Sequence, residues 1–490
     1  MVDRLTEIHN MSQDQQMLDN ECGWMDMDVP DKETASQQVS SIEVDSTIQL
    51  THSSHARDDG TGFYKEHLTS NNPHAIAKVL GAYFHDRYSE SKGPSTKDLR
   101  NSIRIELGYK VSYWKVWMDS EIEKSLVRGT HEHGYGVIDA YSHILRTSNS
   151  VSKTAVVVDE NGRFKCFLVA YGAWILGFAQ MRKVIAVDGT FLKSRYCGVL
   201  LSAFAQDIEN HIFSVAFCVV DSKCDASYKY FFEQMSSFVL DTPKLCIISD
   251  RHPSIGKIVS VVFPSAHYGC CMRHLGENIR KDFHNGSVVH HFLRQQKHTM
   301  YNIMTINITE SINVVLLGER EFPITALFDA INKRFTEIFH ERRMIFLDIG
   351  TKFVPSMETI IAENTELGNK LLVHQIANYR YIVTGHEVVA TADLQSKSCS
   401  YRVFVIDKIP CPYAMAALRC QYGEDYGRRI YEYSSLYYTV DAYIMAYVEE
   451  IKPISSEDSW QVSIEILERK ISPLFIEPGK VGRRSYKRRK

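Results

Sequence analysis

Two stretches of the chain, VIAVDGTF (Val184–Phe191) and CIISDRHPSI (Cys246–Ile255), decide the fold. Each begins with an apolar, β-branched run that is typical of a buried strand, and each run stops at an aspartate. These aspartates are Asp188 and Asp250. An acid at the end of a buried strand lies at the edge of a sheet, where a metal ion or a substrate can reach it. The two stretches therefore predict a sheet with a pair of carboxylates at one edge.

The composition is that of an ordinary globular protein. The 490 residues are 44% hydrophobic and 23% charged, and a chain of this length predicts roughly two to four domains. The net charge of −3 gives no overall nucleic-acid signature, so any DNA contact must come from local basic patches. No stretch approaches the ~20 apolar residues of a membrane helix, and the first residues lack the apolar core of a secretory signal. The 11 cysteines are therefore expected to be reduced thiols or metal ligands.

The segment from residue 155 to residue 275 predicts a mixed α/β domain. Apolar and β-branched runs predict strands at 164–169, 183–187, 199–206, 211–220, 245–248 and 266–271. Helices are predicted at 226–240, from Pro253 and from about Met272. The order of strand, hairpin, helix and strand is that of a ribonuclease-H-like domain, in which the strands of Asp188 and Asp250 are neighbours. The predicted fold class is therefore α/β, with a ribonuclease-H-like catalytic domain.

Phosphodiester cleavage needs an activated water and neutralisation of charge at the scissile phosphate. Two Mg²⁺ ions about 3.5–4 Å apart supply both, and oxygen ligands hold them. Asp188 and Asp250 are two such ligands, and a third carboxylate must come from a helix packed against the sheet. Glu310 fits because it lies beside the apolar face of a predicted helix in the stretch Asn307–Leu316. Each acid alone would be an ordinary surface carboxylate, whereas the trio in this strand order predicts a catalytic metal site.

Cys271 and His274 follow the last predicted strand. A Cys-x-x-His pair could supply half of a zinc site, although no second pair lies nearby. In a second interpretation, His274 lies close to the acids and contacts DNA phosphate or positions the catalytic helix. A third interpretation has a packed cysteine and a helix-capping histidine. The residues alone leave these interpretations open.

Two features outside this domain bear on DNA binding. Two helices are predicted after residue 95, the second with Trp114, Met118, Ile122 and Leu126 on one face. They form either a DNA-binding helix-turn-helix or a plain two-helix packing unit. The end of the chain is a dense basic run, which fits a nuclear-localisation signal or a phosphate-binding arm, with a solvated terminus as the alternative. Its residues are Arg483, Arg484, Lys487, Arg488, Arg489 and Lys490.

Several motifs together resemble the Mutator-like (MULE) transposases of plants, of the MuDR type. In chain order they are DGTFLKSRYCGVLLSAFAQD, FFEQMSSF, SDRHPSIGKIVSVVFPSAHYGCCMRHLGENI and YNIMTINITESINVVL. The resemblance implies a DDE-type catalytic domain with its triad on Asp188, Asp250 and Glu310. It places the C-x-x-H motif of the family on Cys271 and His274. It also implies DNA as the partner, Mg²⁺ or Mn²⁺ as the cofactor and a homo-oligomer as the common assembly, and together with the basic tail it favours the nucleus.

The family often carries a SWIM-type zinc finger downstream, with ligands in the order C-x-C and C-x-H. The matching positions hold Cys399 with Tyr401 and Cys411 with Tyr413. Tyrosine is a poor ligand for zinc, which prefers thiolate and imidazole. The resemblance therefore implies a degenerate site that retains Cys399 and Cys411, at which zinc binding is not expected. A small ββα region can persist there without metal.

The sequence thus predicts a series of parts with different roles. They are a disordered region (1–70), a helical and possibly DNA-binding module (73–150), the ribonuclease-H-like domain (155–320), a helical connector (321–380), the SWIM-like region (381–425), a helical region (426–478) and the basic tail (479–490). The intact triad favours a transposase. The alternative is a non-catalytic DNA-binding protein or a decayed element copy, because the zinc ligands are lost and the stretch before Glu310 is shorter than in the family.

Overall fold

The computed structural model of the protein describes residues 88, 93–106, 108, 110–249, 253–270, 316–346, 349–385 and 388–474. These residues divide into two compact units. The smaller unit draws on the ranges 1–134 and 314–326, and the larger unit on 135–313 and 327–490. The predicted disordered region, the helix from Met272 and the basic tail lie outside the described residues. None of the described helices is long and apolar enough to cross a membrane.

The elements are numbered here in chain order. The helices are α1 (Thr96–Glu106), α2 (Tyr113–Arg128), α3 (His131–Gly136), α4 (Ile138–Ser148), α5 (Gly172–Phe178), α6 (Asp225–Met235), α7 (Pro253–Val262), α8 (Ile324–Ile345), α9 (Pro355–Asn369), α10 (Val403–Asp407), α11 (Pro412–Tyr422), α12 (Tyr426–Tyr433), α13 (Val440–Tyr447) and α14 (Ile464–Glu468). The strands are β1 (Lys153–Val158), β2 (Phe164–Ala170), β3 (Val184–Phe191), β4 (Val199–Gln206), β5 (Ile212–Val220), β6 (Cys246–Ser249), β7 (His267–Cys270), β8 (Leu372–Ala377), β9 (Arg380–Gly385), β10 (Val388–Asp393) and β11 (Ser398–Cys399). Short 3₁₀ turns lie at Glu319–Glu321, Gly423–Asp425, Leu436–Tyr438 and Glu457–Ser459.

The smaller unit contains the predicted pair of helices, α1 and α2. Ser95 caps α1, because its hydroxyl accepts a hydrogen bond from the backbone N–H of Asp98 at 3.2 Å. In return, the backbone N–H of Ser95 donates to Oδ2 of the Asp98 carboxylate at 3.3 Å, which completes a reciprocal cap. Leu99 and Ile103 are buried on α1, as their spacing predicts. The existence of both helices is confirmed, and their role in binding DNA stays a prediction.

The buried face of α2 differs from the predicted one. Trp114 is 46% exposed and Leu126 is 58% exposed, so the predicted apolar face is wrong. The buried residues of α2 are Val116, Asp119, Ser120 and Glu123. Burial raises the pKa of Asp119 to about 6, since a carboxylate loses hydration in this position. The apolar pattern failed here because the buried face is mostly polar.

A seven-stranded mixed sheet forms the core of the larger unit. Its strand order is β1-β2-β5-β4-β3-β6-β7. The pairs along β1, β2, β5, β4 and β3 are antiparallel, and β3, β6 and β7 pair in parallel. The strands β3 and β6 are neighbours as predicted, with paired residues from Val184 and Cys246 to Val187 and Ser249. The α/β class is therefore confirmed.

Three element bounds differ from the prediction. β3 does not stop at Asp188 but continues to Phe191, because its antiparallel partner β4 pairs with it as far as Val199. β1 has no counterpart among the predicted strands and pairs antiparallel with β2. α6 ends at Met235 and not at residue 240. The first difference places Asp188 within a strand, where it pairs with Ser202 on β4.

Different helices cover the two faces of this sheet. On one face, the ring centroid of Trp174 from α5 lies 5.7 Å from that of Phe217 on β5 and 5.2 Å from that of Phe335 on α8. Cys218 follows Phe217 and so points to the opposite face. There it lies beside Tyr230 of α6, and burial, with further contributions from the thiols of this face, raises the pKa of that tyrosine. Helices α5 and α8 thus cover one face of the sheet, and α6 covers the opposite face.

A buried polar network fastens the turn between β4 and β5 to the C-terminal helices. Asp207, which is 3% exposed, accepts hydrogen bonds from the backbone N–H groups of Glu209 at 3.0 Å and His211 at 2.8 Å. The hydroxyl of Tyr447 on α13 donates to the same carboxylate at 2.8 Å. Arg342 on α8 donates in turn to the Tyr447 hydroxyl at 2.7 Å. The carboxylate is therefore satisfied by its own turn and by α13, and Arg342 of α8 supports it through the Tyr447 hydroxyl.

A second, four-stranded sheet lies in the C-terminal part of the larger unit. Its order is β11-β10-β9-β8, and all neighbours are antiparallel. α11 packs against it and is buried from Tyr413 to Leu418. β8 begins at Leu372, within the segment predicted as a helical connector, so this region has more strands than the predicted ββα unit. The boundaries of the predicted parts stay predictions.

Candidate functional site at the carboxyl edge of the large sheet

Three strands pair in parallel, in register, at one boundary of the large sheet. Val187 of β3 pairs with Ser249 of β6, and Ser249 pairs with Cys270 of β7. We call this boundary the carboxyl edge. The residues that follow these three positions in the sequence are Asp188, Asp250 and Cys271. Asp188 and Asp250 are thus the residues that follow a pair of neighbouring parallel strand positions in the sequence, and Asp250 itself lies outside the described residues.

Asp188 lies on the face of the sheet that α5 and α8 cover. It pairs with Ser202 on β4, and Ser202 pairs with Phe217 on β5, so that the three side chains share a face. The ring centroid of Phe217 lies 5.7 Å from that of Trp174 and 6.0 Å from that of Phe335. Asp188 itself is half-exposed. Asp188 is therefore accessible to solvent, although it lies on the face of the sheet that helices cover.

Local hydrogen bonds hold β3 in place around Asp188. The backbone N–H of Gly189 donates to Oδ1 of the Asp188 carboxylate at 2.7 Å. The Ser202 hydroxyl donates to the Asp188 carbonyl oxygen at 3.4 Å. Directly before the strand, Lys183 donates to the Phe178 carbonyl oxygen at the end of α5, at 2.7 Å. Burial lowers the pKa of Lys183 to about 8.

An exposed surface at the end of β3 was not among the predicted sites. Phe191 is 64% exposed, and Nζ of Lys223 lies 5.3 Å from the centroid of its ring. Lys193 and Arg195 are exposed in the turn that follows. We call these four residues the Phe191 surface. An aromatic ring among several cations can stack on a base and contact phosphate. The signal in the sequence is the alternation of Lys193 and Arg195 directly after a strand.

The other predicted residues of the catalytic site lie outside the described residues. They are Asp250, Cys271, His274 and Glu310. Their roles stay predictions, and Asp188 is the member of the triad whose surroundings the structure describes. In the described part of the chain, no three His, Cys, Asp or Glu side chains form a group that could hold a metal ion.

The residues of the predicted degenerate zinc site come together as two pairs. Cys399 on β11 and Cys411 directly before α11 interact through their side chains, and this hydrogen bond is the main cause that lowers the pKa of Cys399 to about 7. The same hydrogen bond, together with burial, raises the pKa of Cys411. The backbone N–H of Tyr401 donates to Sγ of Cys399 at 3.4 Å. The rings of Tyr401 and Tyr413 lie with their centroids 5.5 Å apart.

This arrangement does not fit a zinc ion. Tetrahedral zinc needs four ligands, of which thiolate and imidazole are preferred. Cys399 and Cys411 offer two thiols, and Tyr401 and Tyr413, whose ring centroids lie 5.5 Å apart, offer neither thiolate nor imidazole. The region therefore holds an aromatic pair beside its two cysteines.

Restoring the two missing ligands is expected to create a zinc site. The double variant Tyr401→Cys with Tyr413→His should bind zinc with about micromolar affinity or tighter, because it adds a thiolate and an imidazole two residues from Cys399 and Cys411. The measurement is titration with Co²⁺ as a spectroscopic substitute, followed by competition with Zn²⁺. Adding Cys411→Ser to the double variant removes one ligand and should abolish tight binding. A folded double variant with no more affinity than the parent would contradict the arrangement.

Comparison with known proteins bears on the carboxyl edge. Residues 184–278 match the family model of the MULE transposase domain. The matched segment begins at the first residue of β3 and contains the strands of the carboxyl edge. No curated protein matches the chain with significance. The match supports the Mutator-like transposase family and a transposase or transposase-derived function, which implies interaction with DNA.

Proposed function

We propose that the chain is a Mutator-like transposase, or a protein derived from one, that cuts and joins DNA through a DDE site on a ribonuclease-H-like domain. The observation that carries the proposal is the carboxyl edge, where the pairing of β3 with β6 stops at Val187 and Ser249. Asp188 and Asp250 are the next residues of these two strands in the sequence. The order β5-β4-β3-β6-β7 supports the assignment, because a ribonuclease-H-like domain has its first and fourth strands side by side.

Asp188, Asp250 and Glu310 would hold two Mg²⁺ or Mn²⁺ ions through their carboxylate oxygens. When bound, such ions supply an activated water and neutralise charge at the scissile phosphate. Asp188 fits this role because it is a half-exposed oxygen donor, oriented by the N–H of Gly189. α8 covers the face that carries Asp188 and begins at Ile324, which follows Glu310 by 324 − 310 = 14 residues.

The DNA backbone would pass along the Phe191 surface. Its cations, Lys193, Arg195 and Lys223, would neutralise phosphates, and the exposed ring of Phe191 offers a plane for stacking. A local group of cations of this kind allows contact with DNA although the net charge of the whole chain is −3. The basic tail, including Arg488 and Lys490, would direct the protein to the nucleus.

A second candidate function is DNA binding without cleavage by a transposase-derived protein. Tyr401 and Tyr413 favour it, because they stand at the positions where the resemblance to the family implies a cysteine and a histidine ligand of zinc. Both candidates share DNA as the partner and differ in whether the carboxyl edge holds metal ions. Transposition would further require an assembly of more than one copy, since two element ends are joined.

The test that separates the two candidates is calorimetric titration of Mn²⁺ into the full-length protein in the presence of a DNA duplex. The first candidate predicts saturable binding that Asp188→Asn abolishes. Glu160→Gln is a matched control, since Glu160 is an exposed acid in the turn between β1 and β2. Binding that survives in Asp188→Asn would contradict the proposed site. A folded, DNA-bound parent that takes up no metal would favour the second candidate.

A further inference from the structure

The first helix of the smaller unit, α1, carries three exposed cations. They are Lys97, Arg100 and Arg104, at positions i, i+3 and i+7 of the helix, a spacing that places them along one side. All three side chains are exposed, whereas Leu99 and Ile103 of the same helix are buried. We call the three cations the α1 stripe. The stripe is therefore accessible to a partner along almost the whole length of α1.

The cations of the α1 stripe have no acidic partner in the part of the chain that the structure describes. The acid next to the stripe, Asp98, is engaged with Ser95, whose hydroxyl donates to its carboxylate at 2.6 Å. Like charges three or four residues apart on a helix repel each other and destabilise it. A polyanion that binds along the α1 stripe would remove this repulsion.

The second helix of the pair, α2, differs in this respect. Two of its cations are engaged within the protein. Lys124 lies 2.8 Å from Oε1 of Glu121. The guanidinium of Arg128 lies 3.9 Å from the centroid of the Phe322 ring and donates to the carbonyl oxygen of Tyr88 at 3.1 Å. In a helix-turn-helix it is the second helix that enters the major groove and reads bases. Here the available cations are concentrated on the first helix.

We propose that the α1 stripe binds the phosphate backbone of duplex DNA, whatever its base sequence. The proposal rests on the proposed function for its partner, DNA, but not on cleavage at the carboxyl edge. The three cations span about 10 Å of helix, and duplex DNA carries about one negative charge per 1.7 Å of its length, so each cation has a phosphate within reach. Phosphate contacts position a protein on DNA and carry no sequence information directly. The first helix thus holds DNA, and no base reading by α2 is needed.

The experiment measures binding of the full-length protein to a labelled DNA duplex at graded salt concentrations, without divalent metal. The triple variant Lys97→Gln, Arg100→Gln and Arg104→Gln removes the charge of the α1 stripe. Each lost phosphate contact lowers the slope of log K against log salt by about 0.9, so we expect a slope smaller by about 2–3 and an affinity about tenfold lower or more. The loss should be equal on a second duplex of unrelated sequence.

Two matched variants separate the α1 stripe from positive charge in general. The first exchanges lysine and arginine throughout the stripe, which keeps all three charges, and it should bind like the parent. The second removes three charges from exposed lysines of the larger unit, and it should keep the slope of the parent. Its substitutions are Lys333→Gln, Lys370→Gln and Lys470→Gln.

The proposal is overturned if the stripe variant keeps the slope and the affinity of the parent, or if the larger-unit variant loses as much. A loss that differs between the two duplexes, or tighter binding of a duplex RNA of the same length, would also contradict it. None of these results bears on the carboxyl edge, because the Mn²⁺ titration with Asp188→Asn tests that site separately. A stripe that binds DNA in a protein that takes up no metal would keep this proposal and favour the second candidate function.

Discussion

Replacing Asp188 by Asn is expected to abolish metal-dependent DNA cleavage, with a loss of about 10³-fold or more in rate. A metal at a scissile phosphate supplies several kcal/mol of transition-state stabilisation, and each 1.36 kcal/mol is tenfold in rate. The amide removes the negative charge that would hold the ions. Its oxygen can still accept the hydrogen bond that Gly189 donates to Oδ1, so β3 should keep its position. The change therefore tests chemistry and leaves the fold intact.

The measurement is nicking and strand transfer on DNA that carries candidate terminal repeats, in Mg²⁺ and in Mn²⁺. DNA affinity of Asp188→Asn should stay near that of the parent, because the proposed phosphate contacts come from the Phe191 surface. Glu160→Gln, with the same loss of charge in an exposed turn, should cleave like the parent. Equal cleavage by Asp188→Asn and the parent would remove Asp188 from the triad.

Replacing Asp207 by Ala is expected to lower the free energy of unfolding of the larger unit by about 3–5 kcal/mol, the usual cost of removing one partner from a buried charged network. The substitution leaves the hydroxyl of Tyr447 and the N–H groups of Glu209 and His211 without their acceptor. It also leaves Arg342 without the negative charge that, together with Tyr447, raises the pKa of its guanidinium against the cost of burial. Urea denaturation followed by circular dichroism measures the change.

Asp159→Ala is the matched control for this prediction. Asp159 accepts backbone N–H groups of Asn161 at 2.8 Å and Arg163 at 2.9 Å, in the turn between β1 and β2. This turn has the same type of local hydrogen bonds but no buried tyrosine or arginine partner, so the loss should be clearly smaller. A double-mutant cycle with Arg342→Met adds a second check. If Arg342→Met destabilises the Asp207→Ala variant as much as the parent, the network does not act as a unit.

Local signals predicted most strands of the large sheet. β4 and β5 flank the polar turn that begins at Asp207, and Asn210 in this turn adopts a left-handed conformation with φ of 62°, which asparagine tolerates. β3 and β6 are apolar, β-branched runs that end near an acid. The end of β3 could not be read in the same way, because Phe191 belongs to the strand only through its pairing with Val199 on β4. The end of β3 is therefore determined by its pairing with β4 and not by the strand propensity of its own residues.

Hydrogen bonds between residues far apart in the sequence could not be predicted from local sequence patterns. The hydrogen bond from Tyr447 to Asp207 joins residues 240 positions apart, and nothing in either local sequence indicates it. The buried face of α2 carries Asp119 and Glu123, which the search for apolar periodicity excluded. At the candidate site, Asp188 could be predicted because it follows an apolar run. That its side chain shares a face with Ser202 could not be predicted, because this depends on the register of β3 and β4.

The sheet that carries the carboxyl edge extends beyond the segment that matches the family model. β2, which ends at Ala170, pairs with β5, so the matched range 184–278 lacks the strand that covers one edge of β5. It also lacks Arg342 and Tyr447, which complete the environment of Asp207. A fragment cut to the matched range would expose an unpaired strand edge and leave a buried turn unsatisfied, and both favour aggregation. The family match thus covers only part of the sheet, whereas the packing of the sheet also depends on β2 before the matched range and on α8 and α13 after it.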